Sequence, residues 1–259
     1  MRIPYIIGEA GSCHMGSLTN ATSLIYKAWL ADCDAIKFQY WSDPGAMRAR
    51  RKIPPPAYEI GSILPEWFPV LADHAHEKKL DLICSVYLPE DVPFVAPLVD
   101  GIKIASFEAN DTALTEAVEN CPHIKRGFIS MGMLENEDDR PHLSLMFPWY
   151  VLHCVSAYPV PPDEANLRVL WGGDYDGYSD HTKLPETGGL AVAAGAEILE
   201  VHFRLDSTPK RCPDYPVALA PDDLITYVEN ARQAYIMLGH GIKEPMPCES
   251  ENMKHRVSS

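Results

Sequence analysis

Glu9-Ala10-Gly11-Ser12-Cys13-His14-Met15-Gly16 joins the first apolar run of the chain to its first helical segment. In an open, doubly wound sheet that junction normally carries a phosphate-binding G-x-G-x-x-G turn, and this stretch does not. Around it one theme recurs. Short β-prone runs at residues 5–11, 35–41, 81–87, 101–106, 126–132, 150–156, 176–181 and 198–204 alternate with other segments. Helical spacing is clear at 18–32, 65–79, 111–120 and 221–238, several of these opening on acidic residues or proline. Such alternation implies a parallel sheet covered on both faces. Eight units in 259 residues is the size of a closed (β/α)8 TIM barrel. That fold is predicted for residues 1–241, with 242–259 as a polar C-terminal tail. Some helices are expected to be short. Residues 134–148 contain Pro141 and Pro148 and have little helical pattern, and 161–173 leave room for only a couple of turns.

Composition narrows the class. Apolar residues are 46% and charged residues 22% of the chain, the mix of a globular domain with a real core, which excludes disordered, collagen-like and coiled-coil chains. A net charge of −14 repels nucleic acid and anionic membrane surfaces. No apolar run approaches the roughly 20 residues of a membrane span. Glu9 interrupts the N-terminal apolar stretch before a signal-peptide core forms. A cytoplasmic protein with small-molecule partners is expected, binding neither nucleic acid nor membrane. Seven cysteines, scattered and without a C-x-x-C pair, read as reduced thiols that serve mostly as small core residues.

Barrel enzymes place their chemistry at the C-terminal ends of the strands. Lys37 and Lys103 lie inside apolar strands, where an ammonium is costly unless an anion meets it. They point either to an anionic ligand or to a buried pair with Glu9 or Glu200. Gln39 shares the face of Lys37. Ser85, Ser106, Ser130, Ser156 and Ser179 end other strands; singly each is a capped turn, and together they suggest a phosphate or carboxylate cradle. His181 and His202 end adjacent strands about 4.8 Å apart, near enough to share one metal ion. Two protein nitrogens leave room for waters and a substrate oxygen, which suits Mn²⁺ or Mg²⁺ better than closed zinc; a hydrogen-bonded histidine pair is the alternative. Asp180 points away from its neighbours and is expected to orient a histidine. Glu9 and Glu108 are candidate acid–base groups. Arg48, Arg50, Arg51 and Lys52 read as a solvated loop face, with contact to a sugar 6-phosphate as the alternative.

Six of these segments, in order, resemble the N-acetylneuraminate (sialic acid) synthase family. Ile7-Gly8-Glu9-Ala10-Gly11-Ser12-Cys13-His14-Met15-Gly16 is similar to that family's I-A-E-I-G-x-N-H-x-G, and Asp34-Ala35-Ile36-Lys37-Phe38-Gln39 to its A-D-A-V-K-F-Q. Lys103-Ile104-Ala105-Ser106 matches K-I-A-S, and Leu152-His153-Cys154-Val155-Ser156-Ala157-Tyr158-Pro159 is similar to L-H-C-T-S-x-Y-P. Gly177-Tyr178-Ser179-Asp180-His181-Thr182 matches G-Y-S-D-H-T, and Glu200-Val201-His202-Phe203 is similar to E-K-H-F.

The resemblance implies a barrel that condenses phosphoenolpyruvate with an N-acetylmannosamine-type amino-sugar aldehyde, releasing phosphate. It implies Mn²⁺ or Mg²⁺ on His181 and His202, and phosphoenolpyruvate on Lys37, Lys103, Ser106, Ser130, Ser156 and Ser179. It implies a sugar side lined by Gln39, Ser85, Tyr87, Tyr158 and Asp214, with Glu9 and Glu108 near the reacting carbons. Cys13 stands where the family has asparagine, and Ser85-Val86-Tyr87 stands where S-T-P-F is usual. The family's C-terminal antifreeze-like domain has no counterpart before Ser259. The expectation is therefore a barrel-to-barrel homodimer, with that domain encoded separately, or a barrel that works uncovered or has lost activity. A metal-dependent sugar isomerase or another aldolase, and a non-catalytic binding barrel, are the competing readings.

Overall fold

The computed structural model of the chain describes residues 3–51, 57–135, 140, 141, 143 and 146–257. Eight parallel strands, β1 Tyr5–Glu9, β2 Ala35–Tyr40, β3 Asp81–Val86, β4 Gly101–Ile104, β5 Gly127–Ser130, β6 Trp149–Cys154, β7 Gly177–Asp180 and β8 Ile198–His202, pair in chain order and close β8 onto β1. The predicted barrel is present. Each strand falls within its predicted run, except that β6 begins one residue early at Trp149. The runs extend past the strands because their last residues turn inward as loops; Cys13 N–H already bonds the Ala10 carbonyl in a 3₁₀ turn over Gly11–His14.

The helices are α1 Leu18–Leu30, α2 Pro44–Arg51, α3 Ala57–Ile60, α4 Phe68–Glu77, α5 Val92–Val95, α6 Thr112–Glu119, α7 Thr187–Ala193 and α8 Pro221–Leu238. Ser17 caps α1 by accepting the Asn20 N–H, and Asp111 caps α6 by accepting the Leu114 N–H. Between β5 and β6 no helix occurs among the described residues. Between β6 and β7 there are only the 3₁₀ turns Pro162–Glu164 and Leu167–Gly172. The expected shortening is there. The segment after β2 departs from expectation, since residues 44–51 form α2 rather than a loop. No described helix is long and apolar enough to cross a membrane. Six cysteines are free and buried, and Cys248 is exposed. Residues 240–257 are exposed throughout.

Alternation along each strand sets what fills the barrel. Near the N-terminal ends, Tyr5, Ile7, Ala35, Ile83, Phe128, Leu152 and Ile198 pack into one apolar plug. Its floor is aromatic, with Tyr5, Phe128 and Tyr150 stacked at 6.3 and 5.3 Å and the Tyr5 hydroxyl donating to Asp81 at 2.6 Å. Two residues further along the same faces come Glu9, Lys37, Ser85, Ser130 and Glu200, each lining a cavity at the opposite end. The outward faces bury Ile6, Ile36, Phe38, Leu82, Ile102 and Ile129 against the helices. One end of the barrel is thus sealed by oil, and the other is lined by charge.

His14 helps to hold the first loop. Its Nδ1 accepts the Gly16 N–H at 3.2 Å, so the ring proton sits on Nε2, facing the Gly61 carbonyl at 3.2 Å. Trp67 and Phe38 meet the ring edge-on. Burial pushes the His14 pKa down to about 4, against a weaker opposing effect of the Gly61 carbonyl. The unfolded chain therefore takes up this proton first as pH falls. Stability from His14 is complete above pH 6.5 and declines from there towards pH 4, by on the order of 3 kcal/mol. Urea unfolding of His14→Gln is expected to lack this part of the acid dependence; an unchanged slope would show that His14 is not its source.

Candidate active site

The C-terminal mouth of the barrel opens into a cavity of about 380 Å³. The residues singled out from the sequence converge on it. Glu9, Lys37, Gln39, Ser85, Tyr87, Lys103, Ser106, Ser130, Tyr158, Ser179, His181, His202 and Asp214 all line it. Glu108 and Ser156 stand behind the wall.

At the bottom lies a four-membered charge cluster. Lys37 Nζ is 2.7 Å from Glu9 Oε2 and 3.6 Å from Glu200 Oε2, and it donates to Ser85 Oγ at 2.8 Å. Lys103 Nζ donates to Ser130 Oγ at 2.7 Å and to the Ile104 carbonyl at 3.0 Å, with Glu200 Oε2 at 3.9 Å. Glu200 also accepts from Ser179 Oγ at 2.9 Å, and Glu9 from Gln39 Nε2 at 2.8 Å. Both readings of the lysines meet here, because they pair with buried carboxylates and still border open space. Burial opposes the charge on Glu200, but Lys103 and Lys37 prevail and hold its carboxyl well below the usual range. Glu9 goes the other way: burial and the Glu200 charge push it up against the pull of Lys37. Burial and the neighbouring Lys37 charge pull Lys103 down despite Glu200. Two carboxylates so close cannot be equally acidic, and Glu9 is the one that takes a proton more readily.

The two histidines stand beside this cluster with ring centroids 5.3 Å apart, and Tyr158 lies 4.2 Å from His181. Strand pairing of Asp180 with Val201 sets the histidines on adjacent strand ends. His181 Nδ1 is 3.0 Å from the Val155 carbonyl, to which it donates, leaving Nε2 as the lone-pair nitrogen. Asp180 does not orient either histidine, contrary to the expectation from sequence. Its Oδ1 accepts the Thr182 N–H at 2.7 Å, and its carboxylate faces Tyr227 of α8. A carbonyl does the job instead, because alternation turns Asp180 out of the barrel. Burial, aided by the charges of His181 and Lys37 and opposed by Asp214, brings the His202 pKa down to about 4. Its Nδ1 is buried with no hydrogen-bond partner. A neutral imidazole with an orphaned nitrogen, next to a second imidazole whose tautomer is fixed by a carbonyl, fits a divalent metal ion. No third His, Cys, Asp or Glu joins them among the described residues. Such a two-nitrogen set suits an oxygen-loving ion that keeps waters better than tetrahedral zinc.

Between β5 and β6 the wall is built from hydroxyls and backbone. Gly132 N–H donates to Ser106 Oγ at 3.1 Å. A Cβ on Gly132 would collide with Ser156 Oγ and lie 2.9 Å from Ser106 Oγ. Ser156 and Ser106 thus both present their hydroxyls to Gly132. Gly132→Ala is expected to displace both hydroxyls and, where this wall holds an anion, to weaken phosphate binding on the order of 10²-fold, as for loss of one preorganised anion contact. Isothermal titration of wild type and variant with inorganic phosphate checks this, and an unchanged Kd would show that the wall holds no anion.

The opposite rim holds residues that sequence reasoning undervalued. Asp214 Oδ2 accepts Ser12 N–H at 2.6 Å and Ser12 Oγ–H at 2.7 Å, tying the β8 loop to the β1 loop. Arg51, in the last turn of α2, lines the cavity with Trp41, Met47 and Phe107. Arg48 and Arg50 keep the exposure expected of this face, and Arg51 turns inward. Arg48 meets Glu59 at 3.6 Å, Arg50 pairs with Asp111, and Arg51 pairs with Glu108; Lys52 lies outside the described residues. Glu108, proposed from sequence as an acid–base group, is thereby turned away from the cavity. The missed signal was Met47, an apolar residue one turn before Arg51 that anchors α2 against Trp41 and Tyr87.

Comparison with known proteins gives the same picture over nearly the whole chain. The profile of the NeuB family matches residues 24–243. The spore coat polysaccharide biosynthesis protein SpsE of Bacillus subtilis is 30% identical, over 93% of this chain and 70% of its own length. The N,N'-diacetyllegionaminic acid synthase of Legionella pneumophila is 26% identical, over 93% of this chain and 75% of its own. The crystal structure of N-acetylneuraminic acid (sialic acid) synthetase from Leptospira borgpetersenii, in complex with citrate, superposes with a TM-score of 0.86 at 28% identity, covering 99% of this chain and 92% of that one. With a matching profile, matching relatives and a barrel whose charged mouth gathers the shared motifs, the chain belongs to the NeuB family.

Proposed function

We propose that this barrel condenses phosphoenolpyruvate with the open-chain aldehyde of an N-acylated mannosamine-type sugar, giving a nine-carbon 2-keto acid and phosphate. The observation that carries this reading is the placement of Lys37, Lys103 and the Ser106–Gly132 wall beside the His181–His202 pair in one cavity. Phosphoenolpyruvate brings a phosphate and a carboxylate, and Lys37, Lys103, Ser130 and Ser179 are the donors that meet them. Anion binding draws the lysines from Glu9 and Glu200, and Glu9, whose pKa is already raised, is the carboxyl that picks up the compensating proton. C3 of phosphoenolpyruvate attacks the aldehyde carbon, water adds at C2, and phosphate leaves with cleavage of its C–O bond. His181 and His202 would hold Mn²⁺ or Mg²⁺, which when bound polarises the aldehyde oxygen. Glu9 is the acid–base residue at the reacting carbons, since Glu108 is occupied by Arg51. Gln39, Tyr87, Tyr158 and Asp214 orient the sugar. Relatives named as legionaminic, pseudaminic and N-acetylneuraminate-9-phosphate synthases support this class of reaction.

The test is inorganic phosphate release from phosphoenolpyruvate with Mn²⁺. The acceptors are N-acetylmannosamine, its 6-phosphate and 2,4-diacetamido-2,4,6-trideoxyhexoses, beside a control without acceptor. Acceptor-dependent release that stops with a chelator is expected. No release with any acceptor, together with no rise in melting temperature on adding phosphoenolpyruvate and Mn²⁺, would overturn the proposal.

A further inference from the structure

The rim opposite the charge cluster carries a device with no part in the chemistry proposed above. Arg51 comes from the last turn of α2, and its guanidinium carbon lies 4.8 Å from the Tyr87 ring centre and 4.6 Å from that of Phe107. Its Nε donates to Glu108 Oε1 at 2.7 Å, and its Nη2 pairs with Glu108 Oε2. The Glu108 side chain is 3% exposed, so this is a buried, two-point ion pair held between two aromatic faces. Arg51 Nη1 hydrogen-bonds to no described residue, and Arg51 lines the cavity. Tyr87 follows β3 and Phe107 follows β4, whereas the histidines end β7 and β8 on the other side of the barrel, so Arg51 faces them across the mouth.

Charge at this end is unevenly matched. Among the described lining residues, the other cationic side chains are Lys37 and Lys103 at the bottom and the histidines on β7 and β8, across the mouth. Arg51 is already neutralised by Glu108, and Asp214, whose carboxylate accepts the Ser12 N–H and hydroxyl, adds negative charge to the cavity. A phosphate dianion bound here would share one guanidinium with Glu108, in a cavity that Asp214 also lines. To capture Arg51 outright it would have to leave Glu108 buried and unpaired, which is a heavy cost in a low-dielectric wall. An uncharged hydroxyl or amide carbonyl meets no such obstacle and fits the free Nη1 edge. Trp41, Met47 and Phe107 supply apolar surface for an acyl methyl beside it.

Resting on the reaction proposed above, we infer that Arg51 selects the acceptor: its Nη1 hydrogen-bonds an uncharged oxygen at the end of the sugar remote from the aldehyde, and Glu108 is a positioning residue that makes the site discriminate against a phosphate there. The experiment compares wild type, Arg51→Ala, Arg51→Lys and Glu108→Gln with N-acetylmannosamine and its 6-phosphate. Wild type is expected to favour the unphosphorylated sugar in kcat/KM by at least about tenfold, and both Arg51 variants to raise its KM about tenfold, the usual cost of a charge-assisted hydrogen bond. KM for phosphoenolpyruvate stays within about twofold. Glu108→Gln frees the guanidinium charge and narrows the preference by lowering KM for the phosphorylated sugar, a change that a purely structural role would not produce. Arg51→Lys keeps the aliphatic stem and the charge, so it carries the test should Arg51→Ala fail to fold. A wild-type preference for the 6-phosphate, or an acceptor KM unmoved in both Arg51 variants, overturns the inference. Should phosphoenolpyruvate release no phosphate with any sugar, the proposed reaction fails. Calorimetric titration of the same proteins with the same two sugars then decides the inference separately: the same order in Kd sustains it, and equal, reversed or absent binding overturns it.

Discussion

His202→Ala is expected, on the proposed reaction, to lower acceptor-dependent phosphate release by on the order of 10³-fold and to erase the rise in melting temperature expected of the wild-type protein with Mn²⁺. The fold should survive. His202 Nδ1 makes no hydrogen bond, so truncation leaves no partner group unsatisfied. What is lost is packing, since His202 is 6% exposed and its ring meets His181 at 5.3 Å and Tyr158 at 6.2 Å; the cost is about 1–2 kcal/mol. Thermal unfolding with and without Mn²⁺ separates the two effects. A variant that is less stable but still shifted by Mn²⁺ would show that His202 is a packing residue and place the ion elsewhere. His181→Ala is the harder variant to read, because it also leaves the Val155 carbonyl without its donor.

The second large effect distinguishes two lysines that look alike in sequence. On the proposed reaction, Lys103→Met is expected to reduce kcat/KM for phosphoenolpyruvate by about 10³-fold and to cost less stability than Lys37→Met. Removing Lys103 leaves Glu200 paired with Lys37 and Ser179, so no carboxylate is stranded. Lys37→Met should behave otherwise. Lys37 sits between Glu9 and Glu200, and without it two buried carboxylates face each other with Gln39 and Ser179 as their remaining donors. Loss of about 3–5 kcal/mol is expected, the usual result of leaving a buried charge uncompensated. Urea unfolding of both variants beside the steady-state constants is the check. Equal destabilisation by the two would mean that Glu200 depends on Lys103 as much as on Lys37, and the assignment of Lys103 to ligand rather than framework would fall.

Much of this architecture is legible along the chain because its causes are local. Strands read as strands since Ile, Val, Phe and Tyr alternate with residues of another character. Helix α8 was readable at both ends, with Pro221 in its first turn and Gly239 just past Leu238. Helix α7 was not, because Thr187-Gly188-Gly189 hides it. Those glycines are there for packing: a Cβ on Gly188 would come within 2.8 Å of the Tyr227 ring, so α7 lies against α8 at a distance only glycine permits. Helix α2 was also hidden: Arg48 and Arg50 are exposed as read, and Arg51 turns to a buried partner.

By itself the sequence determined the barrel, the closed end and the charged end. Period-two alternation states which residues face inward, and the change from Ile7 to Glu9, Ala35 to Lys37, Ile83 to Ser85 and Ile198 to Glu200 marks the depth at which oil gives way to charge. It also placed two histidines on neighbouring strand ends. Only the tertiary structure decided who meets whom across that mouth. Arg51 and Glu108 are 57 residues apart, Ser12 and Asp214 are 202 apart, and Lys37 of β2 reaches Glu9 on neighbouring β1 while approaching Glu200 on β8, two strands away. A side chain's facing direction follows from its own backbone, whereas its ion-pair partner follows from strand register and loop closure, which are set by the whole barrel at once.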